Sequence, residues 1–208
     1  MPLYKTLNNR HNTVVHIWKI TETEAQLRSG ITLSENSKQR LLTMSSELHR
    51  RGFLSIRHLL HVAGYTDLEL FYDDKGKPHL NDGKFISITH SYEFTAIIVS
   101  DTPVGIDIEK KREKIKRIAK KFIKYENTCV YNSSQQVKLL TIIWGAKESM
   151  YKLYGSKGLG FKAHCQVEPI DFSHPKSRCS IHFNGDSSYY DLFYLGFENF
   201  MMVYVIPA

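Results

Sequence analysis

Hydrophobic positions along the chain change period several times, and each change marks a predicted element. Residues 14–20 are β-branched and apolar enough for a first strand. A helical region opens at Ser34 and carries Glu35, Arg40, Leu41, Leu42, Met44 and Leu48. A second helix is predicted over about 50–62, where Phe53, Leu54, Ile56, Leu59 and Leu60 are the apolar set and Gly64 the stop. Residues 68–72, 85–89 and 94–100 read as strands, separated by the turn-rich stretches 73–78 and 81–83. The turn Asp101-Thr102-Pro103 leads into a strand over 104–109, a helix over about 113–125 and a longer helix over about 135–154 that ends at Gly155. The tail is β-rich, with strands predicted over 161–167, 178–183, 189–196 and 200–206 and a hairpin signal at Asn184-Gly185. Strand, helices and strands therefore occur in that order twice. The order predicts an α+β fold built as a tandem of two similar halves, a pseudo-dimer of residues 1–102 and 103–208. The two halves show no residue-level repeat.

Composition narrows the class. A chain of 208 residues, 42% hydrophobic and 12% aromatic, has the apolar content of a folded protein rather than a disordered one. Cys129, Cys165 and Cys179 include no C-x-x-C pair, which argues against a zinc ribbon, a redox dithiol or a disulfide scaffold and fits a reducing cytoplasm. Apolar runs fall far short of the roughly 20 residues a membrane span needs, and no signal-peptide pattern opens the chain, so a soluble, unprocessed cytoplasmic protein is expected.

Charge is distributed unevenly. The chain carries a formal net charge of +7, yet residues 110–124 alone hold nine basic side chains against the single Glu113. Within that stretch Ile115, Ile118, Ala119, Phe122 and Ile123 recur at the spacing of one buried helix face. The exposed face is then strongly positive. It is either a solvated surface or the docking site of an acidic partner.

Three clusters could carry chemistry. Asp107 and Glu109 flank Ile108 on a predicted strand, so both carboxylates emerge on one side; they are either a solvated pair or ligands of a divalent cation such as Mg2+. Trp144, Glu148 and Lys152 are spaced by four on the long helix and share a face. They read either as an anchor plus a surface ion pair, or as a third carboxylate and an ammonium that complete a phosphate-metal site. Thr89-His90-Ser91 closes a predicted strand, with nothing in its spacing to mark a hydrolytic triad.

Taken in order, Phe85-Ile86-Ser87-Ile88-Thr89-His90-Ser91, then Val104-Gly105-Ile106-Asp107-Ile108-Glu109, then Trp144-Gly145-Ala146-Lys147-Glu148-Ser149-Met150-Tyr151-Lys152 resemble the three motifs of the 4′-phosphopantetheinyl transferases. The resemblance runs from about Ser34 to Phe161 and is to the longer, two-half, single-chain form. It implies transfer of the 4′-phosphopantetheine arm of coenzyme A to a serine of an acidic acyl or peptidyl carrier protein, with release of 3′,5′-ADP. It also implies Asp107, Glu109 and Glu148 as ligands of Mg2+ or Mn2+, and Glu148 as the group that deprotonates the serine. Lys152, His90, Thr89 and Lys77 of the Gly76-Lys77-Pro78 turn would contact the coenzyme in a cleft between the halves, and Arg40 and Arg57 its 3′-phosphate. Thr89 stands where the family commonly has Ser, and Gly145 where it has Ser or Thr. A Gly within a helix costs roughly 1 kcal/mol relative to Ala. Under this reading Lys116, Arg117 and Lys120 of the basic helix dock the carrier protein, and a monomer that binds neither nucleic acid nor membrane is expected.

Two other classes remain open on the sequence. A catalytically silent coenzyme A-binding relative would retain the fold and the nucleotide contacts. A basic nucleic-acid-binding module would show affinity that falls steeply with salt and no dependence on coenzyme A.

Overall fold

The computed structural model describes residues 3–126 and 132–208; Cys129 and the end of the basic stretch's connection to the long helix lie outside them. The chain divides into two compact units, Met1–Asp101 and Thr102–Ala208, each an antiparallel sheet with helices, an α+β architecture.

In the first unit, β1 (Leu3–Arg10) and β2 (Thr13–Lys19) are followed by α1 (Glu24–Arg28), α2 (Glu35–Leu42) and α3 (Glu47–Val62). Then come β3 (Leu70–Tyr72), β4 (Pro78–Leu80), β5 (Phe85–Ser91) and β6 (Phe94–Ser100). The six strands lie in the order β1-β2-β6-β5-β4-β3. Against the sequence reading, β1 is a strand despite its polar content, because as an edge strand it needs only one partner; β4, which the sequence reading does not predict, forms between the two turn-rich stretches and pairs with β3 from Leu70↔Leu80 to Tyr72↔Pro78. The first helical region is two helices. Ser34 caps α2 by accepting from the Ser37 amide, α2 ends at Leu42, and α3 begins at Glu47 rather than near residue 50. Helix α1, unread in the sequence, carries a reciprocal capping box between Thr23 and Gln26. Helix α3 sets Leu54, Leu59 and Leu60, none of them exposed, into a core shared with Trp18, Leu80, Ile86 and Ile97.

The second unit runs β7 (Gly105–Lys110), α4 (Lys114–Ile118), a 3-10 turn at Ala119–Lys121 and α5 (Ser133–Tyr154). It continues with α6 (Phe161–His164), β8 (Cys165–Val167), β9 (Lys176–Phe183), β10 (Asp186–Phe197) and β11 (Phe200–Pro207), in the sheet order β7-β11-β10-β9-β8. Asn184 and Gly185 turn β9 into β10 with φ of 56° and 90°, as the Asn-Gly signal requires. Gly155 ends α5 in the left-handed region at φ 68°. The predicted strand over 161–167 is instead a helical turn followed by a three-residue strand. Both units share one connection: an early strand, a long helix, and a meander whose last strand returns to pair antiparallel with that early strand, β6 on β2 and β11 on β7.

The basic segment departs most from expectation. Its apolar stripe faces inward as read, with Phe122 fully buried and Ile115, Ile118, Ala119 and Ile123 packed on the core. Its backbone, however, is α-helical only to Ile118. Like charges at Lys116/Lys120, Arg117/Lys121 and Lys120/Lys124 oppose a continuous helix. The carbonyl of Phe122 is also drawn onto the Lys147 ammonium at 2.6 Å, which holds the chain out of helical geometry there.

Candidate active site

The second unit gathers the acidic and basic residues of two motifs. Along β7, Ile106 and Ile108 are buried on one face, while Gly105, Asp107 and Glu109 face α5, the alternation that a strand imposes. Two glycines let the helix come this close. A Cβ on Gly105 would stand 1.9 Å from the carbonyl oxygen of Ser149, and one on Gly145 would stand 2.9 Å from Val203 Cγ2 on β11 and 3.8 Å from Asp107 Oδ2. Gly145 is therefore the residue this approach requires. Ser149 Oγ fastens the same contact by donating to the Val203 carbonyl at 3.0 Å.

Trp144, Glu148 and Lys152 do share the α5 face turned to β7. Lys152 Nζ donates to Asp107 Oδ1 at 2.8 Å and to the Ile106 carbonyl at 2.9 Å. Trp144 Nε1 donates to Glu109 Oε1 at 3.1 Å, and its ring lies edge-on to Phe122 and Phe161. Glu148 lies between these two links in sequence. Burial, then the charge of Asp107, pushes its carboxyl up to about 7, with Lys152 opposing and Glu109 adding. Burial and Asp107 likewise raise Glu109, against the Trp144 hydrogen bond. Three carboxylates thus repel one another across a half-buried site with one ammonium to offset them.

That donor set, all hard oxygens with excess negative charge, fits a hard divalent cation in chemistry and charge. In the arrangement described, Asp107 is engaged by Lys152 and Glu109 by Trp144. Among the described residues no group of three His, Cys, Asp or Glu side chains stands gathered in ligating geometry. Holding a metal would require the three carboxylates to draw closer together.

Glu148 gives the metal-free protein a measurable pH dependence. Its folded pKa of about 7 lies above the ordinary 4.5, so its contribution to stability is fully present below pH 4.5 and is lost as pH rises through about 7. Unfolding by urea in the presence of a chelator should show the wild type losing stability relative to Glu148→Gln across that window. A gap between the two proteins that stays constant from pH 4.5 to about 7 would contradict the arrangement.

Candidate coenzyme-binding residues of the first unit sit on separate elements. Thr89 is buried and His90 half-buried near the end of β5. His90 Nε2 donates to the Tyr92 carbonyl at 2.8 Å, and burial lowers its pKa, with the Tyr92 bond opposing and His49 reinforcing. The ring fits against α3 because residue 52 is glycine: a Cβ there would lie 2.6–2.8 Å from three imidazole atoms. Lys77 is half-buried beside the β3–β4 turn, its pKa lowered by burial against the pull of Asp73, which accepts from the Lys77 amide at 2.8 Å. Arg40 is exposed over the Tyr72 ring at 5.1 Å.

Arg57 is different, and the structure corrects its expected role. It is 3% exposed, with Nε on Asp67 at 2.8 Å, Nη1 on the Phe53 carbonyl and Nη2 on Ser37 Oγ, and its guanidinium lies 3.4 Å from the Phe53 ring centroid. Asp67 in turn accepts from the Ser34 amide and from the Ser34 and Ser37 hydroxyls. Three of its five N–H donors go to Asp67, Ser37 of α2 and the Phe53 carbonyl of α3, and the buried guanidinium thereby ties α3 to α2 and to the segment carrying Asp67 rather than reaching a surface phosphate.

The candidate carrier-docking residues also sort apart. Arg117 and Lys120 are exposed as expected, together with Arg112, Lys114, Lys121 and Lys124. Lys116 folds back onto Glu113 at 2.8 Å and Ser133 at 2.6 Å. A cavity of about 210 Å³, lined by Glu109, Lys110, Arg112, Lys114, Ile115, Ile118, Thr141 and Trp144, opens beside Glu109 at the foot of this segment.

Residues 103–204, nearly all of the second unit, match the family model of the 4′-phosphopantetheinyl transferase superfamily. It is similar to 4′-phosphopantetheinyl transferase gsp of Aneurinibacillus migulanus, 33% identical over 115 residues that make up 52% of this chain and 48% of the relative. Similarity extends to 4′-phosphopantetheinyl transferase Sfp of Bacillus subtilis (strain 168), 26% identical over 148 residues, 66% of each chain. A third relative, 4′-phosphopantetheinyl transferase psf-1 of Bacillus pumilus, is 28% identical over 118 residues, 53% of this chain and 50% of the relative. The chain thus matches between about half and two-thirds of the length of these relatives. No helix among the described residues is long and apolar enough to cross a membrane.

Proposed function

We propose that the protein transfers the 4′-phosphopantetheine arm of coenzyme A to a serine hydroxyl of an acyl or peptidyl carrier protein, releasing 3′,5′-ADP with help from Mg2+. The observation that carries this reading is the convergence of Asp107, Glu109, Glu148 and Lys152 on one face between β7 and α5, in a unit that matches the family model of the transferase superfamily. Asp107, Glu109 and Glu148 are the residues that would hold the cation. Bound there, Mg2+ supplies charge neutralisation at a pyrophosphate. Lys152, already directed at this site, places an ammonium against phosphate oxygens and the departing nucleotide. Glu148 accepts the serine proton, as a carboxylate placed within reach of both the cation and the incoming hydroxyl can do. Lys77, Thr89, His90 and Arg40 are proposed to bind the coenzyme; Arg57 is not. A reducing cytoplasm suits Cys165 and Cys179, both free and buried.

Intact-mass analysis of an apo acyl carrier protein, incubated with the protein, coenzyme A and Mg2+, tests the proposal. Addition of the phosphopantetheine mass, absent without coenzyme A, supports it; an unchanged carrier across both acyl and peptidyl types defeats it.

The exposed cations of residues 112–124 are proposed to meet an acidic carrier surface. Arg117→Glu with Lys120→Glu should raise KM for the carrier on the order of tenfold and flatten its salt dependence, with KM for coenzyme A little changed. Lys116 is a poor probe, because reversing it breaks the Ser133 and Glu113 contacts. Unchanged carrier KM and salt dependence would mean that the segment is only a solvated face.

A further inference from the structure

Among the charged pairs that the catalytic reading leaves unused, one of the most deeply buried lies beside the candidate base. Lys147 precedes Glu148 on α5 and is not exposed at all, yet its ammonium is retained inside the core. It donates to the Phe122 carbonyl at 2.6 Å and to Glu126 Oε1 at 2.7 Å, Glu126 itself being 4% exposed at its side chain. Glu126 reaches further. Its Oε1 also accepts from the Val167 amide on β8 at 3.2 Å, and its Oε2 from the amides of Lys124 and Tyr125 at 3.2 and 3.3 Å.

One ion pair therefore joins three pieces: the end of the basic segment, helix α5 beside its candidate base, and the first strand after α6. A buried pair of this kind contributes little net stability, because desolvation offsets the attraction, while its directional bonds admit only one arrangement of the parts it joins. The basic segment needs such a fastening. It has lost helical continuity after Ile118, and its like charges push it outward.

We infer that Lys147 and Glu126 are positioning residues: their buried pair clamps the cationic segment to the helix that bears Glu148 and Lys152, fixing the carrier-docking surface in register with the reacting groups. The activity consequence rests on the transferase function proposed above; the clamp itself does not. Neither side chain touches coenzyme or carrier in this role.

The test uses the full-length protein and the double variant Lys147→Met with Glu126→Gln, which removes both charges but leaves an amide oxygen to accept from Val167. Hydrogen exchange read by mass spectrometry should show peptides within 114–126 exchanging at least about tenfold faster, with β9 and β10 unchanged and the unfolding midpoint near that of the wild type. With an apo acyl carrier protein as substrate, carrier KM should rise on the order of tenfold while KM for coenzyme A stays constant. A folded double variant whose segment exchanges at the wild-type rate, or whose carrier KM is unchanged, overturns the clamp. If the double variant does not fold cooperatively, Glu126→Gln alone, which keeps an acceptor for Lys147, is judged by the same two readouts. A wild type that modifies no carrier removes the transferase function, and the exchange result still decides the clamp.

Discussion

Replacing Asp107 with alanine is expected to reduce kcat/KM for carrier modification on the order of 10³-fold while the protein keeps its fold. Asp107 is the residue on which the site's charges meet. It binds Lys152 at 2.8 Å and raises the carboxyls of both Glu109 and Glu148. Its removal takes away one proposed metal ligand and the anchor of the ammonium together. The fold should survive because the Lys152 side chain, 27% exposed, can turn to water, and because the backbone of β7 remains paired with β11. Intact-mass time courses at saturating Mg2+ measure the first effect and thermal unfolding the second. Near-normal turnover in a folded variant would remove Asp107 from the mechanism and with it the proposed metal site.

Gly105→Ala should have the largest effect on stability, about 3 kcal/mol or more, and should remove activity as a result. The added methyl would meet the Ser149 carbonyl at 1.9 Å. That oxygen belongs to the backbone of α5 and cannot rotate away, so the helix must lift from the strand. Gly145→Ala offers a contrast at the same interface. Its methyl would meet Val203 Cγ2 at 2.9 Å, a side-chain atom, so the double variant with Val203→Ala should regain much of the loss, whereas no side-chain truncation rescues Gly105→Ala. Urea unfolding of the three variants measures the difference. A Gly105→Ala protein as stable as the wild type would mean that α5 and β7 are not held this closely.

Legibility in the sequence followed the strength of local signals. The long helix α5, the strands at 94–100 and 200–206 and the Asn184-Gly185 turn all carry period, cap or turn chemistry that needs no partner to be read. The edge strand β1 and the short strand β4 carry none, since their pairing is set by neighbours distant in sequence. In the site, the two-residue spacing of Asp107 and Glu109 and the four-residue spacing of Trp144, Glu148 and Lys152 put all five groups on facing sides of one strand and one helix, and the fold sets those sides against each other. Arg57 shows the limit of such signals: in the sequence an arginine amid apolar residues reads the same whether it reaches a ligand or is held by the distant Asp67. Lys147 shows the opposite case: beside Glu148 it reads as ordinary helix surface, and only the fold turns it inward. The glycines at 105 and 145 were visible as letters, but their purpose lies in a carbonyl and a valine that no spacing rule connects to them.

Gly52 has an effect that reaches past its own helix. The His90 imidazole lies where a side chain at position 52 would be, so α3 carries a notch cut to the shape of a ring on another element. Any residue larger than glycine fills the notch and evicts the ring, even though position 52 has no charge or donor of its own to offer. The chain has in effect stored the address of a histidine as an omission on a helix, where a scan for reactive side chains has nothing to find.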